Sequence, residues 1–333
     1  MVAFHHLTVD ADAGAAHVIA AGDGRPVVLL HGLGGLAEEI MAPLTELSAT
    51  HRVLAVDRPG YGGSSPQPPD RMAPDAQAAW LAQVIDALDA DRPVIVAHSF
   101  ATAIALHYAL ACPDRVAGLV LLGPFCRPTP PEARPLLRMA SMRRLGRPLR
   151  WALPQVAPLI AGPMLTATFA PDDVPAHMHR LPFATVAQPG AVLAMAAELL
   201  GFNDAMERAA DRLHEIACPI VVIGGDGDRI APFADHGEWL RERLPDCTMV
   251  RFRETGHMIH HVRPSAVAHA VDRVLRADRR VGDLHALRRG FATWTRALRP
   301  SGRRRDGTSE SRPRSEPGAF DSNPPPPSRI ART

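Results

Sequence analysis

At 333 residues, 46% of them apolar, and with no uninterrupted apolar run long enough to cross a bilayer, the chain has material for one large soluble domain carrying an insertion. A net charge of +2, from 37 basic against 35 acidic residues, gives no global reason to expect nucleic acid or a strongly charged partner. Every basic residue is Arg, which with the abundant Ala and Pro reads as coding bias rather than mechanism.

The start, Met1-Val2-Ala3-Phe4-His5-His6, lacks the charged and apolar regions of a signal peptide. Cys112, Cys126, Cys218 and Cys247 show no C-x-x-C spacing. Free thiols in a reducing cytoplasm are the expectation.

Short apolar runs bounded by turn residues predict buried strands at Pro26–His31, Arg52–Val56, Pro93–Ala97, Val116–Leu122, Pro219–Ile223 and Met249–Phe252. Helical spacing lies between them: Trp80, Leu81, Val84, Ile85 and Leu88; Ile104–Cys112, stopped by Pro113; and Phe233–Leu244, opened by Pro232. Strand and helix alternate, so an α/β fold with a mostly parallel central sheet, covered by helices on both faces, is expected.

The alternation fails over 127–212, where Pro, Arg and helical patterns such as Val192–Leu200 occur without a clear strand. That stretch is expected to be a helical insertion dividing the core into 1–126 and 213–279. Over 280–299, Leu284, Leu287, Phe291, Trp294 and Leu298 recur at steps of three and four, with Arg288, Arg289, Arg296 and Arg299 elsewhere on the helix. Such a basic amphipathic helix can lie in a membrane interface or pack back on the core. Residues 300–333, rich in Ser, Pro, Arg and Gly, are expected to be disordered.

Four strand ends carry chemistry. His31-Gly32-Leu33-Gly34-Gly35 closes the first predicted strand with glycines that let backbone N–H groups approach a ligand. Alone it is ambiguous, because Gly32-x-Gly34-x-x-Ala37 also fits a dinucleotide fingerprint with Asp57 as the ribose acid. Val94-Ile95-Val96-Ala97-His98-Ser99-Phe100-Ala101 runs a strand into a serine and then a helix, the arrangement of a nucleophile elbow. Gly224-Gly225-Asp226-Gly227-Asp228 ends a later strand in acids, and Thr255-Gly256-His257 comes after the last.

Together these resemble the α/β-hydrolase superfamily, whose triad runs Ser, Asp, His along the chain. The resemblance spans about Val28 to Val274, includes Asp57-Arg58-Pro59-Gly60-Tyr61-Gly62-Gly63-Ser64, and puts the insertion where the family has its lid. It implies a serine hydrolase with Ser99 as nucleophile, His257 as general base and Asp228 orienting that histidine. The N–H groups of Leu33 and Phe100 would form the oxyanion hole. A Rossmann enzyme has no use for this order of serine, aspartate and Gly-His, which leaves Asp57 as a loop anchor.

The elbow departs from G-x-S-x-G, with Ala97 and Ala101 in place of its glycines. Asp226 is the rival to Asp228; Gly225-x-x-Asp228 with Pro232 beyond it fits the family better. His257, His260 and His261 suggest a metal cluster, but no acid or cysteine at matching spacing accompanies them, so no metal is expected. His98 is read as a packing residue turned away from Ser99.

A serine nucleophile argues against dehalogenase and epoxide-hydrolase chemistry, and Met258 stands where C–C hydrolases of the superfamily often carry Trp. The first expectation is therefore hydrolysis of a small-molecule carboxylic ester, without a cofactor. C–C or lactone hydrolysis and acyl transfer are the alternatives on the same fold, and a catalytically idle binding scaffold is the alternative of another class. Leu136, Leu137, Trp151, Leu153, Leu159, Met164, Leu165 and Phe169 offer apolar lining for an acyl pocket.

Overall fold

The structure is a computed structural model that describes residues 3–12, 14–129, 146, 148, 151, 162–181, 188–244 and 246–278. The chain divides into units Met1–His285 and Ala286–Thr333, the second wholly outside the described residues. The amphipathic pattern at 280–299, the tail at 300–333 and much of 127–212 therefore lie outside them too.

Eight strands make one sheet: β1 (His5–Ala11), β2 (Gly14–Ala21), β3 (Arg25–Leu30), β4 (His51–Val56), β5 (Val94–His98), β6 (Gly118–Leu122), β7 (Ile220–Gly225) and β8 (Thr248–Phe252). Their order is β1-β2-β4-β3-β5-β6-β7-β8. β1 and β2 pair antiparallel, as do β2 and β4, and every later pairing is parallel. The six expected strands are all present.

β1 and β2 were not expected. They lie at the antiparallel edge, where β1, HHLTVDA, alternates exposed and half-buried residues and never forms the continuous apolar run that marks a strand buried on both faces.

In the central strands successive side chains serve opposite cores. Val28 and Leu30 of β3 and Ile95 and Ala97 of β5 join a cluster with α2 (Pro74–Ala87), α3 (Ala101–Ala111) and the Phe233–Arg243 helix. Val27, Leu29, Val94 and Val96 join the cluster on the other face, with α1 (Ala37–Met41) and residues 264–278, which are helical. The period-2 alternation of a strand sandwiched between helices thus builds two hydrophobic layers from one apolar run.

Within 127–212, residues 162–169 are helical and Pro189–Ala210 forms a 22-residue helix. The latter packs on the core through Phe202 and Met206, both buried with α2 and α3. Arg127, in the segment after β6, pairs with Asp235 at 3.9 Å.

The loops beyond the strands fit tightly at several points. A Cβ on Gly225, the last residue of β7, would overlap the carbonyl oxygen of Thr255. Since backbone cannot swing aside as a long side chain can, Gly225→Ala is expected to cost about 1–3 kcal/mol, lowering the melting temperature by several degrees in calorimetry. An unchanged transition contradicts this packing.

Candidate active site

Parallel strands deliver their carboxyl ends to one edge of the sheet, the usual location of sites in open α/β folds. Gly32–Gly35 come after β3, Ser99 after β5, Asp228 after β7 and His257 after β8.

Ser99 occupies the turn between β5 and α3 at φ +54°. A left-handed conformation in a residue with a Cβ costs about 1–3 kcal/mol and persists only where the surroundings enforce it. Here they do: Ser99 N–H donates to Leu122 O at 2.9 Å, while Ser99 O accepts from Thr102 N–H at 3.0 Å and Phe125 N–H at 3.2 Å. Ala97 and Ala101, in place of the expected glycines, are both fully buried, so their single methyl groups are accommodated at the packed strand–helix junction.

The Gly32 backbone lies against this turn, and a Cβ there would sit 2.9 Å from Ser99 Cβ. Among the described residues no backbone carbonyl takes the N–H of Leu33 or Phe100. Both amides flank a serine that is itself only 7% exposed.

His257 and Asp228 are buried and joined. Asp228 Oδ2 lies 2.7 Å from His257 Nδ1, and Asp228 Oδ1 accepts from Ile230 N–H at 2.8 Å and Ala231 N–H at 2.9 Å. With both carboxylate oxygens occupied, the aspartate cannot rotate, and a carboxylate facing Nδ1 puts the imidazole proton there and leaves Nε2 as a base. Asp226 instead forms an exposed ion pair with Arg251. The rival acid is turned away from the histidine.

His98 supports the same loop from below. It is buried, its ring centroid is 4.8 Å from that of His257, and its Nε2–H donates to His257 O at 3.1 Å. Burial, and after it the neighbouring His260 and His257, holds it well below the usual histidine range, so it serves as a neutral hydrogen-bond donor. His257 N–H also donates to Thr168 O at 3.2 Å, tying the loop to helical residues 162–169.

Of the residues proposed to line an acyl pocket, Phe169 is buried beside Met178 and Met258, with Leu165 packed on them. Trp151 and Met164 are 69% and 61% exposed. Leu136, Leu137, Leu153 and Leu159 lie outside the described residues.

Asp57 anchors its loop. Its carboxylate accepts from Ala37 N–H at 2.7 Å, Gly63 N–H at 3.1 Å and His17 Nδ1 at 2.7 Å. Burial opposes ionisation, but His31 and the surrounding N–H groups outweigh it and hold the carboxyl below its ordinary value. Gly62, at φ +50°, has no room for a Cβ, which would overlap Asp57 Oδ2.

The structure also gathers residues that sequence reasoning missed. An acid does accompany His260 and His261: Glu39, from α1, whose Oε1 accepts from His260 Nε2 at 2.6 Å and His261 Nε2 at 2.8 Å. The three side chains bring three buried ligand atoms within 4.8 Å of one another, a grouping able to hold a metal ion, and here they are joined by hydrogen bonds. A separation of 221 positions between Glu39 and His260 hid the trio. Burial opposes the Glu39 charge, yet the two imidazoles outweigh it and hold its carboxyl well below the usual range. His236 Nδ1 accepts from Cys126 N–H at 3.1 Å and Arg127 N–H at 3.0 Å, fixing the chain just after it leaves β6.

With this geometry in hand, comparison with known proteins places the chain. Residues 25–264 match the family model described as alpha/beta hydrolase fold. The chain belongs to the α/β-hydrolase family. This α/β-hydrolase is 33% identical over 242 residues, 71% of its length and 88% of the relative's, to a pimeloyl-[acyl-carrier protein] methyl ester esterase of Chromobacterium violaceum. It is 31% identical over 247 residues, 69% and 80% of the two chains, to a 2-hydroxy-6-oxononadienedioate/2-hydroxy-6-oxononatrienedioate hydrolase of Cupriavidus pinatubonensis. A thermophilic esterase from Thermogutta terrifontis matches in structure with a TM-score of 0.64 and 25% identity, covering 82% of this chain and 99% of that one. Among the described residues of the α/β-hydrolase, no helix is long and apolar enough to cross a membrane.

The buried imidazoles set an acid limit on the fold. Burial, then Arg58, pushes His31 down to about 4, and burial pushes His236 down to about 4. In the unfolded chain both titrate near ~6.5, so between that value and about 4 the unfolded state binds more protons and stability falls as the pH falls. Melting temperatures are expected to drop steadily from pH 6.5 towards 4, before most carboxylates protonate. A flat profile from pH 7 to 4.5 contradicts neutral burial of these histidines.

Proposed function

We propose that this α/β-hydrolase cleaves carboxylic esters through an acyl-enzyme formed on Ser99, with His257 as general base and Asp228 orienting it. The observation that carries this reading is the Asp228–His257 pair, whose carboxylate is locked by two backbone N–H groups and whose imidazole is thereby held in one tautomer. An ion pair of purely structural use needs no left-handed serine at the end of β5, on the same edge of the sheet.

In this mechanism Ser99 Oγ attacks the ester carbon while His257 Nε2 takes its proton. The carbonyl oxygen becomes an oxyanion that accepts hydrogen bonds from the N–H groups of Leu33 and Phe100; one such donor is worth ~2.7–4 kcal/mol. Collapse breaks the bond to the alkoxy oxygen, and His257 returns the proton to the departing alcohol. Water then attacks the acyl-enzyme by the same route, releasing the carboxylic acid and restoring Ser99. Burial of His257 and Asp228, each about 5% exposed or less, keeps water from competing for their hydrogen bond.

An ester substrate is supported by the esterases among the relatives and, against C–C bond hydrolysis, by Met258 at the position after the base where C–C hydrolases of the superfamily often carry Trp. The natural substrate would be a small molecule, handled without a cofactor. Cytoplasmic location remains part of this reading, resting on the reduced cysteines; all four are free thiols.

The purified protein is expected to hydrolyse p-nitrophenyl esters and to be labelled by a fluorophosphonate on Ser99; labelling elsewhere, or undiminished turnover by Ser99→Ala, overturns the assignment. Asp228→Asn is expected to lower kcat by about 10⁴ through the wrong histidine tautomer, whereas Asp226→Asn, which opens only an exposed ion pair, leaves it within about twofold. Steady-state kinetics on both variants decide between the acids.

A further inference from the structure

Behind the loop that carries Leu33 lies a buried carboxylate from the insertion. Glu198, in the middle of the Pro189–Ala210 helix, is fully buried and forms an ion pair with Arg58, itself 1% exposed. Glu198 Oε1 also accepts from Gln77 Nε2 at 2.8 Å, and Oε2 accepts from the Tyr61 hydroxyl at 2.6 Å.

Two arms run from this carboxylate to the β3–α1 loop. Arg58 donates from Nε to His31 O at 2.9 Å and from Nη2 to Gly32 O at 2.9 Å. The Tyr61 hydroxyl, besides donating to Glu198, faces the backbone N–H of Gly34. His31 closes the frame: its Nε2 accepts from Arg58 N–H at 3.0 Å, so Nδ1 carries the proton and donates to Gly32 O at 2.9 Å.

Gly32 O therefore receives three donors, His31 Nδ1, Arg58 Nη2 and Gly35 N–H, the last at 3.2 Å. That carbonyl and the Leu33 N–H belong to one planar trans peptide and point in opposite directions. Pinning the oxygen from behind aims the N–H forward. The same peptide abuts Ser99, as the 2.9 Å approach of a Gly32 Cβ to Ser99 Cβ records.

We propose that Glu198 is a positioning residue for the oxyanion hole: by holding Arg58 and Tyr61 it fixes the Gly32–Leu33 peptide, so that docking of the insertion helix sets the catalytic competence of the loop. This rests on the serine-hydrolase reading given above. Arg58 carries the only guanidinium in contact with Glu198 among the described residues, and the ring of Tyr61 lies 4.8 Å from that guanidinium, so removing the carboxylate charge leaves the arginine buried with only neutral partners. The loop carbonyls then lose a clamp whose own position is no longer determined.

The test uses the full chain with Glu198→Gln and, as a control on the docking of the same helix, Asp75→Asn, which opens the exposed pair that Arg208 of that helix makes with Asp75 of α2 at 2.6 Å. Rates are normalised to the fraction labelled by fluorophosphonate. Glu198→Gln is expected to lower kcat about tenfold with KM within about twofold, and to weaken a trifluoromethyl ketone, whose adduct with serine bears an oxyanion, by the same factor. Amide exchange of residues 33–35 is expected to speed up about tenfold while β7 and β8 keep their protection. Asp75→Asn is expected to change neither kcat nor exchange.

A Glu198→Gln protein that melts earlier but keeps wild-type kcat, ketone affinity and loop exchange overturns the proposal and leaves Glu198 a packing element. If that variant does not fold, Tyr61→Phe, which removes one arm and keeps the ring, is read the same way: weaker ketone binding with faster exchange at residue 34 supports the proposal, and wild-type values for both overturn it. If the wild-type protein neither labels nor turns over esters, the hydrolase reading fails by itself, and loop exchange still decides whether Glu198 holds the peptide.

Discussion

Because β3 and β5 run parallel and in register from Val27 beside Val94 to Leu30 beside Ala97, both strands leave the sheet at the same edge, and the segments leaving them are forced into the same small volume. After β3 comes a glycine loop rich in backbone N–H groups; after β5 comes a serine. The remaining parallel pairings, β5 with β6, β6 with β7 and β7 with β8, bring the ends bearing Asp228 and His257 to the same edge. Four loops distant in sequence are thereby brought to one edge by hydrogen-bond register, and contacts such as Asp228 with His257 and His98 with His257 O then fix them to one another. The left-handed backbone of Ser99 is the local cost of turning from β5 into α3 at this point, borne by three backbone hydrogen bonds and by small residues on either side.

Around this edge the protein uses histidines as neutral polar parts. His31, His98 and His260 are fully buried, and burial depresses each of them. An imidazole that cannot charge supplies one donor and one acceptor in a rigid ring, which suits it to bridging backbone groups where a carboxylate or guanidinium would need a partner of opposite sign. His31 joins Arg58 N–H to Gly32 O in this way, and His98 carries the carbonyl of His257. Where full charges are buried they come in groups: Glu39 with two imidazoles, Asp57 with a histidine and two backbone N–H groups, Glu198 with Arg58.

The Pro189–Ala210 helix is tied to the core in two ways. Its apolar face packs on α2 and α3 through Phe202 and Met206, while one carboxylate on the same face, Glu198, enters the frame behind the glycine loop. A helix held by hydrophobic contacts alone could slide; one that must deliver a carboxylate to a buried guanidinium has a single register.

Six parallel-sheet strands, three core helices and the elements bearing Ser99, Asp228 and His257 were legible in the sequence, because each is signalled locally by a fully apolar run, a proline boundary or a strand ending in glycine or acid. The spacing favoured Asp228 over Asp226 as partner of the histidine, and the structure joins Asp228 to His257 and Asp226 to Arg251. β1 and β2 were not legible, since an edge strand with one solvated face lacks that run. The partners of charged groups were not legible either. Glu39 and His260 lie 221 positions apart and Arg58 and Glu198 lie 140 apart, and nothing in local spacing records such meetings. Glu198 left one trace, a lone acid on the buried face of an apolar helix. The sequence by itself determined which residues sit at strand ends, because backbone period and turn chemistry are local. Only the tertiary structure decided which of those ends face one another and which buried charges they share, because that depends on strand order and helix docking, which are set by packing across the whole chain.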